Sequence, residues 1–244
     1  MLNEDEVRRY QRQIKIFGEG AQEKLKSAHV AVIGVGGLGS TVSIFLTVAG
    51  VGRLTIVDSD RVALSDLNRQ ILYTTEDIGE EKVFRAALKL RKMNPNVHIT
   101  PINEKIDKDN VYAIIRNADM VIDCLDNWKS RLILNKACIE ENKILIHGGI
   151  KGLSGQVIVI IPRKTPCLNC ITRKIEEEEE EIPVLGTTAS IIGSIQATEA
   201  IKLITGYGKP VIGKIIIYDG YYMELEHVGV TRRPDCEVCG GYEE

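Results

Sequence analysis

The stretch Val30-Ala31-Val32-Ile33-Gly34-Val35-Gly36-Gly37-Leu38-Gly39 decides the fold. An apolar run ends in G-x-G-x-x-G, a helix-like stretch follows, and Asp58 closes the next apolar run at Ile56-Val57. Glycines at this spacing let the chain turn sharply and bring backbone N–H groups against a pyrophosphate. The helix behind them presents its positive N-terminus, and an acid about 20 residues on can bond a ribose hydroxyl. Strand, turn, helix and acid in this order predict a nucleotide-binding βαβ unit. The cations gathered around it then decide which class of nucleotide it serves.

Outward from this unit the pattern alternates. Apolar runs and helical spacing predict strands over 29–33, 53–57, 97–101, 119–123 and 143–147, with helices over 38–49, 80–92, 109–116 and 128–141. Short strands alternating with helices imply a parallel sheet covered on both faces, with ligands bound beyond the C-terminal strand ends. Ahead of this core a helix is expected over 4–16, with Val7, Tyr10, Gln11 and Ile14 on one face, and a second near 21–26. Past Gly148-Gly149 the pattern changes to a strand over 156–161, a helix over 189–204 and two strands, 215–218 and 223–228, joined at Asp219-Gly220. The expected fold is therefore α/β: a Rossmann-like doubly wound sheet whose parallel N-terminal half continues into antiparallel strands. The chain 1–244 reads as a single domain with N-terminal helices (1–28), a nucleotide-binding core (29–149) and a second half (150–244).

Composition sets the outer bounds. A chain of 244 residues, 44% hydrophobic and 27% charged, can bury a sizeable core, and a formal net charge of −3 offers no general attraction to nucleic acid or anionic membrane. The start, Met1-Leu2-Asn3-Glu4-Asp5-Glu6, is acidic, and no apolar run reaches the roughly 18 residues of a membrane span. A cytoplasmic protein with no membrane partner is expected. Glu176 to Glu181 are consecutive glutamates bounded by Pro183. Like charges so close do not pack, so the segment reads as a solvated linker or as a lid that orders over a partner.

Six cysteines in a reducing compartment point to metal ligands, core residues or catalytic groups. Cys167-x-x-Cys170 and Cys236-x-x-Cys239 form two hooks whose spacing suits one tetrahedral Zn²⁺. With all positions filled by protein, such a zinc is structural; the competing reading is two unrelated thiol pairs. Cys138 falls within helical periodicity and reads as core, and Cys124, at a strand end, reads as a small buried hydrophobe.

Beyond the Asp58 strand come Ser65-Asp66-Leu67-Asn68-Arg69-Gln70 and then Lys82 at a helix start. Both segments leave the C-terminal rim of the sheet, so Arg69 and Lys82 can converge on phosphates above the glycine loop. Asp123-Cys124-Leu125-Asp126-Asn127 ends a later strand at the same rim, where a carboxylate can hold Mg²⁺ together with phosphate oxygens.

At these residues the chain resembles the MoeB/ThiF/HesA adenylyltransferases, bacterial and archaeal relatives of the ubiquitin-activating enzymes. Arg8-Arg9-Tyr10-Gln11-Arg12-Gln13, Gly34 to Gly39, Asn68-Arg69-Gln70, Lys82, Asp123 to Asn127, Gly193 to Lys202 and both cysteine hooks follow one another as in that family, across nearly the whole chain. The resemblance implies ATP-dependent adenylation of the C-terminal Gly-Gly carboxylate of a ubiquitin-like sulfur carrier, for thiamine, molybdopterin or tRNA-thiolation sulfur transfer. It implies that Gly34, Gly36, Gly37, Gly39 and Asp58 hold adenosine, and that Ser65, Asp66, Leu67, Asn68, Arg69 and Lys82 line the triphosphate. Asp126, beside Asn127, would carry Mg²⁺. Arg12, Arg69, Lys82 and Asp126 would be the catalytic set, with Arg12 reaching across a homodimer interface. The second half, 150–244, would bind the carrier and the zinc.

Two departures from the family stand out. Asp66 replaces the usual Asn, and a carboxylate repels phosphate unless it binds metal or faces away. The loop before Gly193 has Ile182-Pro183-Val184-Leu185 and no thiol, so the reaction is expected to stop at the acyl-adenylate. Within the same superfamily, a tRNA threonylcarbamoyladenosine dehydratase is an alternative, which the acidic charge and the zinc hooks oppose. A dinucleotide-dependent oxidoreductase would explain the glycine loop and Asp58 but not Arg12, Arg69, Lys82 and Asp126 together. A zinc-stabilised interaction module would explain only the hooks and the lid.

Overall fold

In the computed structural model, residues 1–172 and 182–241 are described. Helix α1 (Glu4–Phe17) starts at a reciprocal cap in which Asn3 Oδ1 accepts from the Glu6 N–H and the Glu6 carboxylate accepts from the Asn3 N–H, each at 2.9 Å. Its buried side chains are Glu6 and Tyr10, and Gln11 is exposed. The expected face is thus rotated, because Glu6 turns inward to pair with Lys26 of α2 (Glu19–Ser27) at 2.7 Å. Tyr10 packs on Gly50, whose φ of +85° suits glycine and where an added Cβ would lie 2.5 Å from the ring.

The alternation then proceeds as β1 (His29–Ile33), α3 (Gly37–Ala49), β2 (Arg53–Val57), α4 (Lys82–Met93), β3 (His98–Ile102), α5 (Val111–Ile115), β4 (Met120–Asp123), α6 (Trp128–Glu140) and β5 (Ile144–Lys151). After these come β6 (Ser154–Ile160), a short α7 (Leu168–Ile171), α8 (Gly186–Thr205), β7 (Lys214–Asp219) and β8 (Glu224–Gly229). Among the described residues the eight strands form one sheet in the order β3-β2-β1-β4-β5-β6-β7-β8. The pairs from β3 to β5 are parallel and those from β5 to β8 antiparallel, as the sequence predicts.

Val30, Ala31, Val32 and Ile33 are wholly buried because helices cover both faces of the parallel half. Fully burying a Val or Ile contributes about 1.5–3 kcal/mol, so this half supplies much of the core. On one face α3, α4 and α8 pack over Val32, Leu54, Ile56 and Ile122; on the other α5, α6 and α7 pack over Ile33, Val121 and Leu145.

One boundary differs. The glycine pair at 148–149 reads as the end of a strand, yet β5 runs through it to Lys151, paired with Val157 and Gln156 of β6. A Cβ at Gly148 would lie 2.5 Å from the Gln196 side chain, so the glycine marks the close approach of α8 to the strand. The glutamate run 176–181 lies outside the described residues. On its C-terminal side, Pro183 and Leu185 tie back to Gly152 through backbone hydrogen bonds of 2.6 and 3.2 Å.

The sheet order changes direction between β1 and β4, and the loops leaving these strands diverge there. A doubly wound sheet opens its ligand crevice at this switch point.

Candidate functional site

A cavity of about 890 Å³ opens at the switch point. Gly34, Gly36 and Gly37 line it together with Asp58, Ser65, Asp66, Asn68, Arg69, Lys82, Asp126 and Asn127, so most of the residues singled out in the sequence converge. Gly39 and Leu67 stand off its wall. A Cβ at Gly39 would lie 1.9 Å from the Gly34 carbonyl oxygen, so this glycine lets α3 start hard against the strand end, and Leu67 packs into the core. Arg12 lies on the exposed surface of α1, away from the cavity of its own chain. Gln70 and Ile182-Pro183-Val184, which the sequence reading quoted without giving them a place in the site, also line the cavity, as do Asp60, Lys105 and Arg131, which it missed. Asp60 had a signal, two residues past Asp58 on the same strand exit. Arg131 had another, facing the cavity one turn beyond the start of α6.

The loop geometry explains the glycine at position 34. Its φ is +92°, its N–H donates to the Val57 carbonyl at 2.7 Å, and a Cβ there would lie 2.7 Å from the Cys124 carbonyl oxygen. Asp58 holds the same turn, accepting from the Val35 N–H at 2.8 Å and the Asp60 N–H at 2.9 Å. Burial raises the pKa of Asp58, and those two N–H groups together with the Lys82 charge oppose the rise. The Tyr73 hydroxyl donates to the Val35 carbonyl at 2.9 Å, fixing the loop against the segment that carries the cations.

Arg69 and Lys82 are already paired. Arg69 donates to the Ser65 carbonyl at 2.6 Å, to Asn68 Oδ1 at 3.1 Å and to Asp66 Oδ1 at 3.3 Å. Lys82 Nζ lies 3.3 Å from Asp60 Oδ2 and 3.4 Å from Asp66 Oδ2. Asp66, left open by its sequence, therefore faces the cations.

Asp126 is exposed and lines the same cavity. Asn127 caps α6, accepting from the Ser130 N–H at 2.9 Å. Beneath them Asp123 accepts from the Leu125 N–H at 3.0 Å and pairs with His147 Nδ1 at 2.7 Å, both side chains being fully buried. Burial lowers the His147 pKa and the Asp123 hydrogen bond opposes the fall. Arg131, 5.1 Å from the centre of the Trp128 ring, donates from Nε to the Leu125 carbonyl at 3.1 Å. The loop bearing Asp126 is thus held from both sides. Cys124 is buried, and burial followed by the Asp123 charge pushes its thiol well above the ordinary range, which suits a packing role.

The two cysteine hooks meet. Cys167, Cys170, Cys236 and Cys239 are buried with their sulfurs within 4.8 Å of one another, at 3.7 Å for Cys167–Cys236 and 3.3 Å for Cys170–Cys239. Four thiolates at about 2.3 Å from a tetrahedral zinc stand about 3.8 Å apart, so the cluster fits the ion. The Arg233 N–H lies 3.5 Å from Cys170 Sγ, the outer-shell donor a thiolate ligand accepts. Cys138 lies in the core, as expected.

Geometry and sequence similarity agree on the class. The ThiF family model matches residues 10–238, and the chain belongs to that family. It is 40% identical to the molybdopterin-synthase adenylyltransferase of Escherichia coli over 98% of each chain. It is 38% identical to the sulfur carrier protein adenylyltransferase of Thermus thermophilus, over 97% of this chain and 92% of that one. Among solved structures, Escherichia coli MccB with ATP superposes with a TM-score of 0.87 at 25% identity, over 95% of this chain and 74% of MccB. The enzyme class is that of the two sequence relatives: an adenylyltransferase. They favour neither the oxidoreductase nor the tRNA dehydratase. No helix among the described residues is long and apolar enough to cross a membrane.

Proposed function

We propose that this protein uses ATP to adenylate the C-terminal Gly-Gly carboxylate of a ubiquitin-like sulfur carrier, releasing pyrophosphate. The observation that carries this reading is the meeting of Arg69, Lys82 and Asp126 with the glycine loop in one cavity. A carboxylate oxygen attacks the α-phosphorus, the bond to the bridging oxygen breaks, and its electron pair leaves with pyrophosphate. Two anions must approach, so the barrier is electrostatic. Arg69 and Lys82 offset the charge on the phosphates, and Asp58 with the glycine loop positions the nucleoside. The nucleophile is ionised at neutral pH and needs no general base. Mg²⁺ held by Asp126 would add charge stabilisation at the leaving group.

Next to this cavity lies a second, of about 580 Å³, which shares Asp126, Asn127, Arg131 and Ile182 with it and is walled by Trp128, Gln156 and Ile217. It offers an extended tail a way to the phosphates. The buried Cys124 and the absence of a thiol in 182–185 support release of the acyl-adenylate without a thioester. The cysteine cluster would hold a structural Zn²⁺, tying the C-terminal hook to the middle of the chain. Exposed Phe45 and Val48 on α3 with Phe84 and Leu88 on α4 support a homodimer, through which Arg12 would reach the partner's phosphates. The setting is cytoplasmic, and neither a membrane nor a nucleic acid is required.

The test is exchange of labelled pyrophosphate into ATP with each candidate carrier from the thiamine, molybdopterin and tRNA-thiolation routes. One carrier should support exchange. No exchange with any carrier ending in Gly-Gly would sink the reading. Co-expressing Arg12→Ala with Asp126→Ala tests the partner contribution: random pairing completes one site in mixed dimers and restores about a quarter of the activity. No recovery would place Arg12 outside the reaction.

A further inference from the structure

Asp66 puts a negative charge where the proposed reaction places a triphosphate. Its Oδ1 accepts from Gln70 Nε2 at 2.8 Å and from Arg69 at 3.3 Å, and its Oδ2 lies 3.4 Å from Lys82 Nζ while accepting from the Ala63 N–H at 3.0 Å. The side chain of Asp66 is 9% exposed and that of Lys82 is 7% exposed, yet both line the cavity. A carboxylate so shielded is tolerated because cations and N–H groups surround it. The same bonds order two long, rotamer-rich side chains before any ligand arrives. Asp60 also touches Lys82, but its side chain is 64% exposed and water screens it.

We infer that Asp66 is a positioning residue that stands in for the phosphates. In the free protein it holds Arg69 and Lys82 at the mouth of the glycine loop, and when a triphosphate enters it gives both cations up. The cavity then stays ordered while empty, at the expense of affinity, because the incoming anion must displace one already bound. This inference rests on the reading of the cavity as an ATP site. Gln70 and the Ala63 N–H keep Asp66 in place when the cations move, since neither is needed by phosphate.

The probe is inorganic tripolyphosphate, titrated calorimetrically into the full chain. An amide at position 66 keeps one acceptor oxygen, enough for the Ala63 N–H, puts an NH2 group on the Gln70 side and removes the competing charge. Asp66→Asn should bind tripolyphosphate about tenfold more tightly, with a steeper loss of affinity as salt rises. In pyrophosphate exchange it should lower both KM for ATP and kcat, because binding improves while the cations lose their guide. Equal or weaker binding by Asp66→Asn would overturn the inference. So would a structure of the unmodified protein with tripolyphosphate in which both cations remain within about 4 Å of Asp66. That structure decides the matter alone if the variant does not fold. Tighter tripolyphosphate binding by the variant without exchange in the parent would leave Asp66 as inferred and remove the adenylation reading. Exchange in the parent with no tightening in the variant would do the reverse.

Discussion

At the phosphate rim, Lys82 lies 3.3 Å from Asp60 and 3.4 Å from Asp66 and faces an open cavity, whereas the four thiols of the cysteine hooks lie within 4.8 Å of one another and are at most 7% exposed. Both clusters join separate segments of the chain, 22 residues apart at most for the rim pairs and 69 apart for the hooks. The rim does so through ion pairs that a second anion can exchange, and the hooks do so through four buried sulfurs gathered in one cluster. The first arrangement suits turnover and the second suits a permanent tie. Losing the first should cost activity and leave the fold, and losing the second should cost the fold.

The largest effect expected is therefore on stability at the hooks. Structural zinc in small peptides is worth about 10–16 kcal/mol at neutral pH, which equals or exceeds the whole stability of most domains. Cys236→Ser, or prolonged chelation, should lower the melting temperature by well over 10 °C or leave the C-terminal hook open to protease. Metal analysis should find one zinc per chain, and unchanged melting after chelation would mean that the thiols act by packing alone.

At the rim the same comparison predicts the opposite outcome. Arg69→Ala and Asp126→Ala should each lower carrier-dependent exchange by about 100- to 1000-fold, the cost of about 2.7–4 kcal/mol typical of one preorganised charged group. Their melting temperatures should stay within about 2 °C of the parent, since both side chains lie at the cavity edge and surface changes are usually small. Normal exchange in either variant would break the assignment. A large fall in melting temperature would blur the contrast between exchangeable and fixed clusters.

Much of this was legible in the sequence because burial leaves a simple signature. Val30 to Ile33 and Leu54 to Val57 read as strands since a sheet covered on both faces needs unbroken apolar runs, and both lie within a residue of where they were expected. The glycine loop, Asp58, Arg69, Lys82 and Asp126 could be placed at one rim because parallel strands all present their C-terminal ends there. What periodicity misses is contact. Helix α7 has only four residues, too few to show a period. Gly148 reads as a strand end until Gln196 is seen packed over it. Gly39 and Leu67 belong to the right motifs and still face away from the cavity, because a motif gives the backbone path and not the direction of each side chain. The partners of Asp66 come from Ala63, Arg69, Gln70 and Lys82, and only the folded loop reveals that its charge meets the cations.

A third cluster sharpens the line between exchangeable and fixed charge. Asp77 lies between the cation segment and α4, fully buried, and accepts from the Thr74 N–H at 2.8 Å, from Arg85 Nε at 2.6 Å and from Lys89. Burial would raise its pKa, but the hydrogen bonds from Lys89, Thr74 and Arg85 outweigh it and hold the carboxyl well below the ordinary carboxylate range. A depressed carboxyl contributes stability above its unfolded pKa and loses it as pH falls toward the folded value. Asp77→Asn should thus destabilise by about 1–3 kcal/mol at pH 7, discounted because Arg85 and Lys89 are partly exposed. The gap between variant and parent should shrink steadily below about pH 4, where the unfolded chain begins to take up a proton on this group. Unlike Asp66→Asn, the variant should leave tripolyphosphate affinity unchanged, since Asp77 does not line the cavity. Urea unfolding across this pH range checks the sign; a gap that widens as pH falls would show that Asp77 is not held as an anion by its partners.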